Sequence, residues 1–298
     1  MVSLAFLGLV AVAWASPLSS APHGTDEAEF QKMVEAIQPS KMVINGRRAQ
    51  EGQFPFQVLT FIAKPSGHSM CGGSVISSRH VLTAAHCVEN FNASLGSKAL
   101  FGVIDANTAW NDPKVQVIKI ASAKVHPKYD PKQEHNDIAV LELSEEIRFN
   151  ENVKPIRLIK NDKILDTKPT VTLAGWGTHE FDGDRELSSR YLLFADYPIT
   201  NHTYCEMALD RLFGGRVTIT DDEICAGANG LGSGGGDSGG PLSLKINGVW
   251  TQLGVTSFGA TSPQYQLLQG YWPGVYTRVS RYCGFIRRKT AGMAKCQT

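Results

Sequence analysis

Three short segments of the sequence carry residue types that can perform nucleophilic catalysis. The segment Gly236-Asp237-Ser238-Gly239-Gly240-Pro241 places a serine between glycines. Glycine on both sides of a serine lets backbone N–H groups converge on one point, as the stabilisation of an oxyanion requires. A phosphate-binding loop is the obvious alternative, but no Lys-Ser or Lys-Thr pair follows these glycines. A flexible linker would not explain the embedded Asp237.

The other two segments supply a histidine and an acid. Thr83-Ala84-Ala85-His86-Cys87 follows the apolar pair Val81-Leu82, and Asn136-Asp137 stands before the apolar run Ile138–Leu141. Alone, each has an ordinary explanation. A histidine beside a cysteine is usually structural or a candidate metal ligand, and an aspartate before a strand usually caps a turn. What matters is the combination of both with the serine segment.

The regions around these segments have the pattern of short β-strands. Apolar and β-branched runs recur between turn signals after Met42, and Asn247-Gly248 is a strong hairpin signal. Long helical periodicity is missing until Tyr282–Lys289. Many short strands with regular turns are typical of an all-β sandwich or barrel. The predicted runs are Val58–Ile62, Val75–Ile76, Val115–Ile120, Ile138–Leu143, Val171–Leu173, Trp250–Val255 and Val275–Val279.

Taken together, the three segments resemble the chymotrypsin-like serine peptidases, whose catalytic residues follow the order His, Asp, Ser. The resemblance extends from Val43 to about Arg288. It includes Gly52-Gln53-Phe54-Pro55, Ala174-Gly175-Trp176-Gly177 and Pro273-Gly274-Val275-Tyr276. It implies an all-β fold of two antiparallel β-barrels, roughly 43–155 and 156–288, with the active site between them and a short C-terminal helix.

The resemblance also implies a role for each catalytic residue. Ser238 would be the nucleophile, His86 the general base and later the acid, and Asp137 the group that orients the imidazole. The backbone N–H groups of Gly236 and Ser238 would form the oxyanion hole. Peptidase activity would rise with pH through about 6.5–7, because His86 must be neutral to act as a base.

Asp237 has a different role in this family, where the amino terminus created by activation cleavage pairs with this buried acid. The matching start is Val43-Ile44-Asn45-Gly46, so residues 16–42 would be the activation pro-segment; a disordered tail is the alternative. Met42 precedes that start in place of the usual Arg or Lys. Cleavage after Met42 by a peptidase favouring apolar residues, and cleavage after Lys41 with the extra residue trimmed or tolerated, both remain open.

The primary pocket is expected to be open and uncharged. The resemblance places its base at Gly232, six residues before Ser238, and the segment from Cys225 to Asp237 contains no carboxylate before Asp237 itself. This favours large apolar residues such as Phe, Tyr, Leu and Met before the scissile bond, with a broad or elastase-like preference as the runner-up. The expected pocket residues are Gly232, Ser233, Ser257, Phe258, Gly259 and Gly274.

One family feature is missing from this pocket. Most relatives have a cysteine at the position of Gly234, bridged to the loop that follows Gly259. That loop, 260–272, is longer than usual here and also lacks a cysteine. Packing by Tyr265, Leu267 and Leu268 could replace the bridge, or the pocket could be loose and the activity modest.

Six cysteines without C-x-x-C spacing indicate disulfides rather than a zinc or redox site. A bridge between Cys71 and Cys87 would clamp the loop that carries His86. Cys205 and Cys225 match a family bridge in the second barrel. Cys283 and Cys296 have no common family counterpart, and we predict that they pair and tie a C-terminal extension, 289–298, to the last helix.

The amino-terminal sequence predicts export. Residues 1–15 are almost wholly apolar and end in Ala13-Trp14-Ala15, the pattern of a secretory signal peptide. The run is too short for a membrane span, which needs about 20 apolar residues. A secreted, extracellular protein could be glycosylated at the sequons of Asn92 and Asn201.

The expected partners are protein or peptide substrates and protein inhibitors of proteases, with a monomer as the expected state. A net charge of +1 argues against nucleic-acid binding. No cofactor or metal is expected. Some relatives bind calcium where Asp105, Asn107, Asn111 and Asp112 lie, but acids are too sparse here and a turn-rich loop is preferred. The alternative function is a catalytically weak or dead homologue that serves as a binding protein.

Overall fold

The structure is a computed structural model that describes residues 46–65, 67–183 and 185–297. The predicted signal peptide, the predicted pro-segment and Val43 therefore lie outside the described residues. Strands account for most of the regular structure. They are β1 (Arg47–Arg48), β2 (Gln57–Lys64), β3 (Gly67–Ser77), β4 (His80–Thr83), β5 (Lys98–Phe101), β6 (Gln116–Val125), β7 (Ala139–Leu143), β8 (Arg157–Ile159), β9 (Thr170–Gly175), β10 (Thr178–Asp182), β11 (Arg185–Ser188), β12 (Leu193–Pro198), β13 (Glu223–Ala226), β14 (Pro241–Ile246), β15 (Val249–Phe258), β16 (Gly274–Arg278) and β17 (Cys296–Gln297).

The first half of the chain forms a closed barrel in the order β2-β3-β4-β7-β6-β5. Its neighbouring strands are antiparallel, as in the pairing of Val81 on β4 with Leu141 on β7. Inward-facing side chains such as Leu59, Leu100 and Val140 are fully buried. Burial of this apolar interior stabilises the barrel, at about 25 cal/mol for each Å² of apolar surface removed from water.

The second half forms a sheet in the order β1-β12-β9-β14-β15-β16-β13. An isolated antiparallel bridge between Ile199 and Ala226 joins the ends of β12 and β13, so six of these strands complete a second ring. Asn247 and Gly248 both have positive φ and connect β14 to β15, with Ile246 paired to Val249. This confirms the hairpin that the sequence predicted, because Asn and Gly adopt the left-handed backbone of such a turn at little cost. The expected all-β fold of two antiparallel barrels with a short C-terminal helix is confirmed.

The helices are short and lie outside the barrels: α1 (His202–Leu212), α2 (Pro263–Gln266) and α3 (Cys283–Lys289). The sequence showed no long helical periodicity before Tyr282 and so did not predict α1. In α1, Asn201 caps the helix by accepting a hydrogen bond from the Tyr204 N–H. Only Cys205, Ala208 and Leu209 of α1 are buried, and so narrow an apolar stripe is easily overlooked in the sequence.

Three disulfides join Cys71 to Cys87, Cys205 to Cys225 and Cys283 to Cys296. The first fastens β3 to the segment just after β4, the second fastens α1 to β13, and the third joins the start of α3 to β17. No described helix is both long and apolar enough to cross a membrane. The three disulfides hold loop, helix and terminal segments against the barrel strands.

Candidate active site

His86 stands at the start of a short 3₁₀ turn, His86–Val88, directly after β4. The neighbouring Cys87 is buried and bridged to Cys71, so the backbone at His86 has little freedom. The imidazole Nδ1 lies 2.7 Å from Oδ2 of Asp137. Because the carboxylate accepts, Nδ1 is the donor, and Nε2 of the neutral ring is left as the basic nitrogen.

Asp137 lies just before β7 and is fully buried. Its carboxylate accepts three hydrogen bonds. Besides the imidazole, the donors are the His86 backbone N–H at 2.9 Å to Oδ1 and the Ser257 hydroxyl at 2.6 Å to Oδ2. A buried carboxylate with this many donors is held in one orientation, and it fixes the plane of the imidazole in turn.

Burial and charge act in opposite directions on His86. Burial by itself lowers the pKa of the imidazole, but the hydrogen bond from the ring to Asp137 and the negative charges of Asp137 and Glu134 outweigh it. The net result is a pKa above the ordinary value of 6.5. The imidazole is therefore well suited to hold a proton transiently.

Ser238 lies in the loop that precedes β14, so the second barrel supplies it. Its carbonyl accepts a 2.7 Å hydrogen bond from the Gly72 N–H of β3, which joins the serine loop to the first barrel beside the Cys71–Cys87 bridge. Within the described residues the Ser238 hydroxyl makes no hydrogen bond, to His86 Nε2 or to any other group. Catalytic hydrogen bonds are often long before substrate binds and tighten in the complex.

The backbone around Ser238 presents unused donors. Neither the Gly236 N–H nor the Ser238 N–H donates to a described residue, although the intervening Asp237 N–H donates to Gly234 O at 3.1 Å. Gly236 has φ +94°, a conformation that residues with a side chain rarely adopt. Two unpaired amides on either side of one residue form an arrangement suited to an oxyanion.

Asp237 is buried beneath this loop. Its carboxylate accepts hydrogen bonds from the Gly177 N–H at 2.9 Å and the Gly234 N–H at 3.0 Å. Burial outweighs these bonds and raises its pKa to about 6. A Cβ atom on Gly175 or Gly177 would overlap the carboxylate, so both glycines of the Ala174–Gly177 motif make room for it.

A pocket of about 220 Å³ opens beside Ser238. Four of the expected pocket residues line it: Ser233, Ser257, Phe258 and Gly259. The other two, Gly232 and Gly274, are not among its lining residues. The pocket therefore ends short of the position expected for its base.

The comparisons with known proteins agree with this geometry. The family model described as Trypsin matches residues 43–286. The chain belongs to the trypsin family of serine proteases. Its domain is that of a serine endopeptidase, and its two-barrel architecture and disulfides are consistent with that family.

Two curated relatives are similar to this chain over most of its length. "Proclotting enzyme" of Tachypleus tridentatus is 32% identical over 266 residues, which cover 82% of this chain and 65% of that protein. "Venom serine protease Bi-VSP" of Bombus ignitus is 35% identical over 254 residues, which cover 80% of this chain and 66% of that protein. The chain spans about two thirds of the length of these relatives.

The trypsin-family pocket is not free of charge in this chain. Glu186 of β11 lines the pocket, and its carboxylate accepts from Thr178 Oγ1 at 2.7 Å and from Gln266 Nε2 at 2.7 Å. The expectation of an uncharged pocket is therefore wrong at the pocket wall. That expectation rested on the segment from Cys225 to Asp237 alone, whereas Glu186 lies on β11, far from this segment in the sequence.

Sequence reasoning missed two further residues of this trypsin-family site. One oxygen of Glu134 lies within 4.8 Å of a His86 nitrogen and an Asp137 oxygen. Its position three residues before Asp137 is the only sequence signal of that proximity. The other is Gln269, whose side chain contacts Ser233 from the loop after Gly259. No sequence motif marks it.

The structure also describes the two sequons and the segment where some relatives bind calcium. Asn92 and Asn201 are exposed, and each caps a short helix with its side-chain oxygen. Asp105 forms an ion pair with Arg190, the shortest of its contacts being 2.6 Å. Within the part of the chain that is described, His86, Glu134 and Asp137 lie close enough together to hold a metal ion. Cys71 and Cys87 also lie near His86, but they are bonded to each other and offer no thiolate.

Proposed function

We propose that the chain is a secreted serine endopeptidase, made as a zymogen, that hydrolyses peptide bonds through an acyl-enzyme with His86, Asp137 and Ser238. The observation that carries this proposal is the 2.7 Å contact from Asp137 Oδ2 to His86 Nδ1, beside the serine loop. It leaves Nε2 as the basic nitrogen at the cleft. An imidazole oriented in this way is what activation of a serine hydroxyl requires.

In the proposed reaction, Ser238 Oγ attacks the carbonyl carbon of the scissile peptide while its proton moves to His86 Nε2. The carbonyl oxygen becomes an oxyanion and accepts from the Gly236 and Ser238 N–H groups. His86 then gives the proton to the leaving amine, the C–N bond breaks and an ester forms on Ser238. Water, deprotonated by His86, hydrolyses that ester and restores the hydroxyl. Asp137 stays ionised and stabilises the imidazolium.

The proposed zymogen step involves Asp237. After cleavage behind Met42, or behind Lys41 with the extra residue trimmed or tolerated, the new amino terminus at Val43 would pair with this carboxylate. A buried acid with a raised pKa and only two N–H donors supports this, because a nearby ammonium would offset the cost of its charge. Pairing would hold the Gly236 and Ser238 amides in place.

The proposed substrates are proteins or peptides with an apolar residue before the scissile bond. The Phe258 ring and the bare wall at Gly259 support an apolar side chain in the pocket. Glu186 would add little to the binding of a Lys or Arg side chain. It is exposed and already accepts from two donors, and exposed ion pairs contribute only about 0–1 kcal/mol. We propose that the enzyme acts as a monomer and is open to protein inhibitors of proteases. Its disulfides support secretion into an oxidising compartment.

Labelling with a serine-directed phosphonate tests this function. The processed protein should be labelled on Ser238 and should cleave peptides. Ser238→Ala should lose the label and about 10⁵-fold or more of kcat, since catalytic serines of this kind account for that much. The binding-protein alternative predicts no labelling of correctly folded, processed protein, and that result would refute the proposal.

A further inference from the structure

Gln269 is a buried glutamine with both polar ends occupied by one residue. The residue is only 3% exposed. The amide Nε2 donates to the Ser233 carbonyl at 2.5 Å, and Oε1 accepts from the Ser233 N–H at 3.1 Å. The side-chain amide thus pairs with the Ser233 backbone as a neighbouring strand would. A buried amide satisfied in this way has no unpaired atom to desolvate.

This amide fills the space expected for the base of the primary pocket. A Cβ atom on Gly232 would overlap Gln269 Oε1. A Cβ atom on Gly274, on the other side, would lie 3.2 Å from the same oxygen. The amide therefore lies between Gly232, the expected base, and Gly274, an expected wall residue, which explains why neither lines the pocket.

Three contacts hold the backbone of Gln269 in this place. The Gly230 N–H donates to Leu267 O at 2.7 Å, and the Gly270 N–H donates to Asn229 Oδ1 at 3.0 Å. An antiparallel bridge between Asn229 and Leu268 lies between them. With the two bonds to Ser233, these contacts join the 229–233 segment to the 267–270 segment. The side chain is thus part of a fixed wall rather than a mobile plug.

In most relatives a disulfide joins these two walls of the pocket. Both segments lack a cysteine here, and the contacts around Gln269 connect the walls instead. Packing by Tyr265, Leu267 and Leu268 and a loose pocket were the two alternatives from the sequence, and neither included this polar link. Ser233, held by the amide, lines the pocket itself. A change at Gln269 would therefore reach the substrate through the wall as well as through the base.

We propose that Gln269 sets the depth and the charge of the primary pocket, and that it restricts the residue before the scissile bond to uncharged side chains of medium length, such as Leu and Met. The proposal rests on the proposed peptidase function. An aromatic side chain would need the space that the amide occupies between Gly232 and Gly274. Lys and Arg would find no counter-charge at the base, and an unpaired buried cation is very costly.

Gln269→Glu tests the charge of the base. It keeps the shape and replaces the amide by a carboxylate beside Gly232, where an ammonium or guanidinium could pair with it. The ratio of kcat/KM for Lys and Arg substrates to kcat/KM for Leu substrates should rise about tenfold or more. Gln264→Glu is the matched control, because it adds the same charge on the same loop at an exposed position. An equal rise in the control would refute the assignment.

Gln269→Ala tests the depth of the pocket. Removal of the amide should raise kcat/KM for Phe and Tyr substrates relative to Leu by about tenfold, as expected for space in an apolar pocket. Titration with the phosphonate first gives the concentration of active enzyme in each preparation, so that kcat/KM can be compared between variants. A wild-type protein that is never labelled would refute the peptidase function. Normal labelling with unchanged preferences in Gln269→Ala would refute the role of Gln269, whether or not Gln269→Glu folds.

Discussion

At the scale of single residues, the site is organised by carboxylates of different burial around one imidazole. Asp137 is fully buried and accepts from both the ring and the backbone of His86. Glu134 is nearby and partly buried, and its carboxylate accepts from the Tyr129 hydroxyl at 3.0 Å. Burial, followed by the charge of Asp137, raises the pKa of Glu134. Both acids favour the protonated form of the imidazole.

The first prediction concerns the pH at which His86 becomes a base. The pKa of His86 is raised, so kcat/KM of the processed enzyme should rise with pH through a midpoint above 6.5. Glu134→Gln removes one negative charge and should move that midpoint down by about half a pH unit, as expected for charges about 5 Å apart in a solvated site. A pH profile of kcat/KM on an uncharged peptide measures it.

Glu151→Gln is the control for this charge, because Glu151 is an exposed acid in the first barrel. Its pH profile should match that of the wild type. A midpoint that stays fixed or moves upward in Glu134→Gln would contradict the proposed influence of Glu134 on the imidazole.

At the scale of elements, the carboxyl-terminal segment packs against the barrels. β17 pairs in parallel with β8, with Cys296 opposite Leu158. Thr290 is fully buried, and its hydroxyl accepts from the Ala294 N–H at 3.1 Å. The Cys283–Cys296 bridge closes this turn onto α3. The extension predicted at 289–298 is thus packed in the structure as far as residue 297.

The second prediction separates stability from catalysis in this segment. Replacing both Cys283 and Cys296 by serine should lower the free energy of unfolding by about 3 kcal/mol, the chain-entropy value for a loop of this length. Denaturant titration measures the loss. The value of kcat/KM should stay within about twofold of the wild type at low temperature, because the bridge lies outside the pocket. A parallel collapse of kcat/KM in fully folded protein would show that the extension takes part in catalysis.

At the scale of the whole molecule, the site depends on both barrels. The first barrel supplies His86 and Asp137, and the second supplies Ser238 and the pocket. The serine loop carries Asp237, whose carboxylate is buried below the surface of the second barrel. Control of that one acid would therefore control the two amides proposed for the oxyanion hole.

The third prediction follows from the charge of Asp237. Asp237→Asn should fold but gain little activity on cleavage of the pro-segment, because no carboxylate remains to bind the new amino terminus. A loss of about 10²-fold or more is expected, comparable to that of an oxyanion donor. Phosphonate labelling before and after cleavage measures it, with amino-terminal sequencing to identify Val43 or Met42 as the first residue. Full activity in protein with an intact pro-segment would contradict the mechanism.

The same pairing predicts an alkaline limit of activity. The proposed ammonium must be charged, and an α-amino group ordinarily loses its proton at about pH 7.7–8.0. Pairing with a buried carboxylate raises the pKa of the amine, so kcat/KM should fall only above that range. A pH profile of the cleaved enzyme up to about pH 11 measures the fall. A flat alkaline limb would argue against the pair.

Much of this protein could be predicted from its sequence. Local signals sufficed for the hairpin at Asn247-Gly248 and for most strands, because turn chemistry and apolar runs act over a few residues. The glycine-bounded Ser238, the order of His86 and Asp137 before it, and the cysteine count pointed to the family. These signals are read from residue types alone.

The tertiary structure decided what fills the pocket. Glu186, Gln269 and Glu134 belong to no motif. Glu186 and Gln269 reach the site because a distant strand or loop is folded against it, and Glu134 does so because the turn before Asp137 directs its side chain toward His86. The sequence predicted an open pocket with Gly232 at its base and Gly274 in its wall, since a sequence shows which side chains are absent but not which neighbour occupies their space. Interiors are close-packed, so room left by a glycine is taken by whatever side chain the fold brings there.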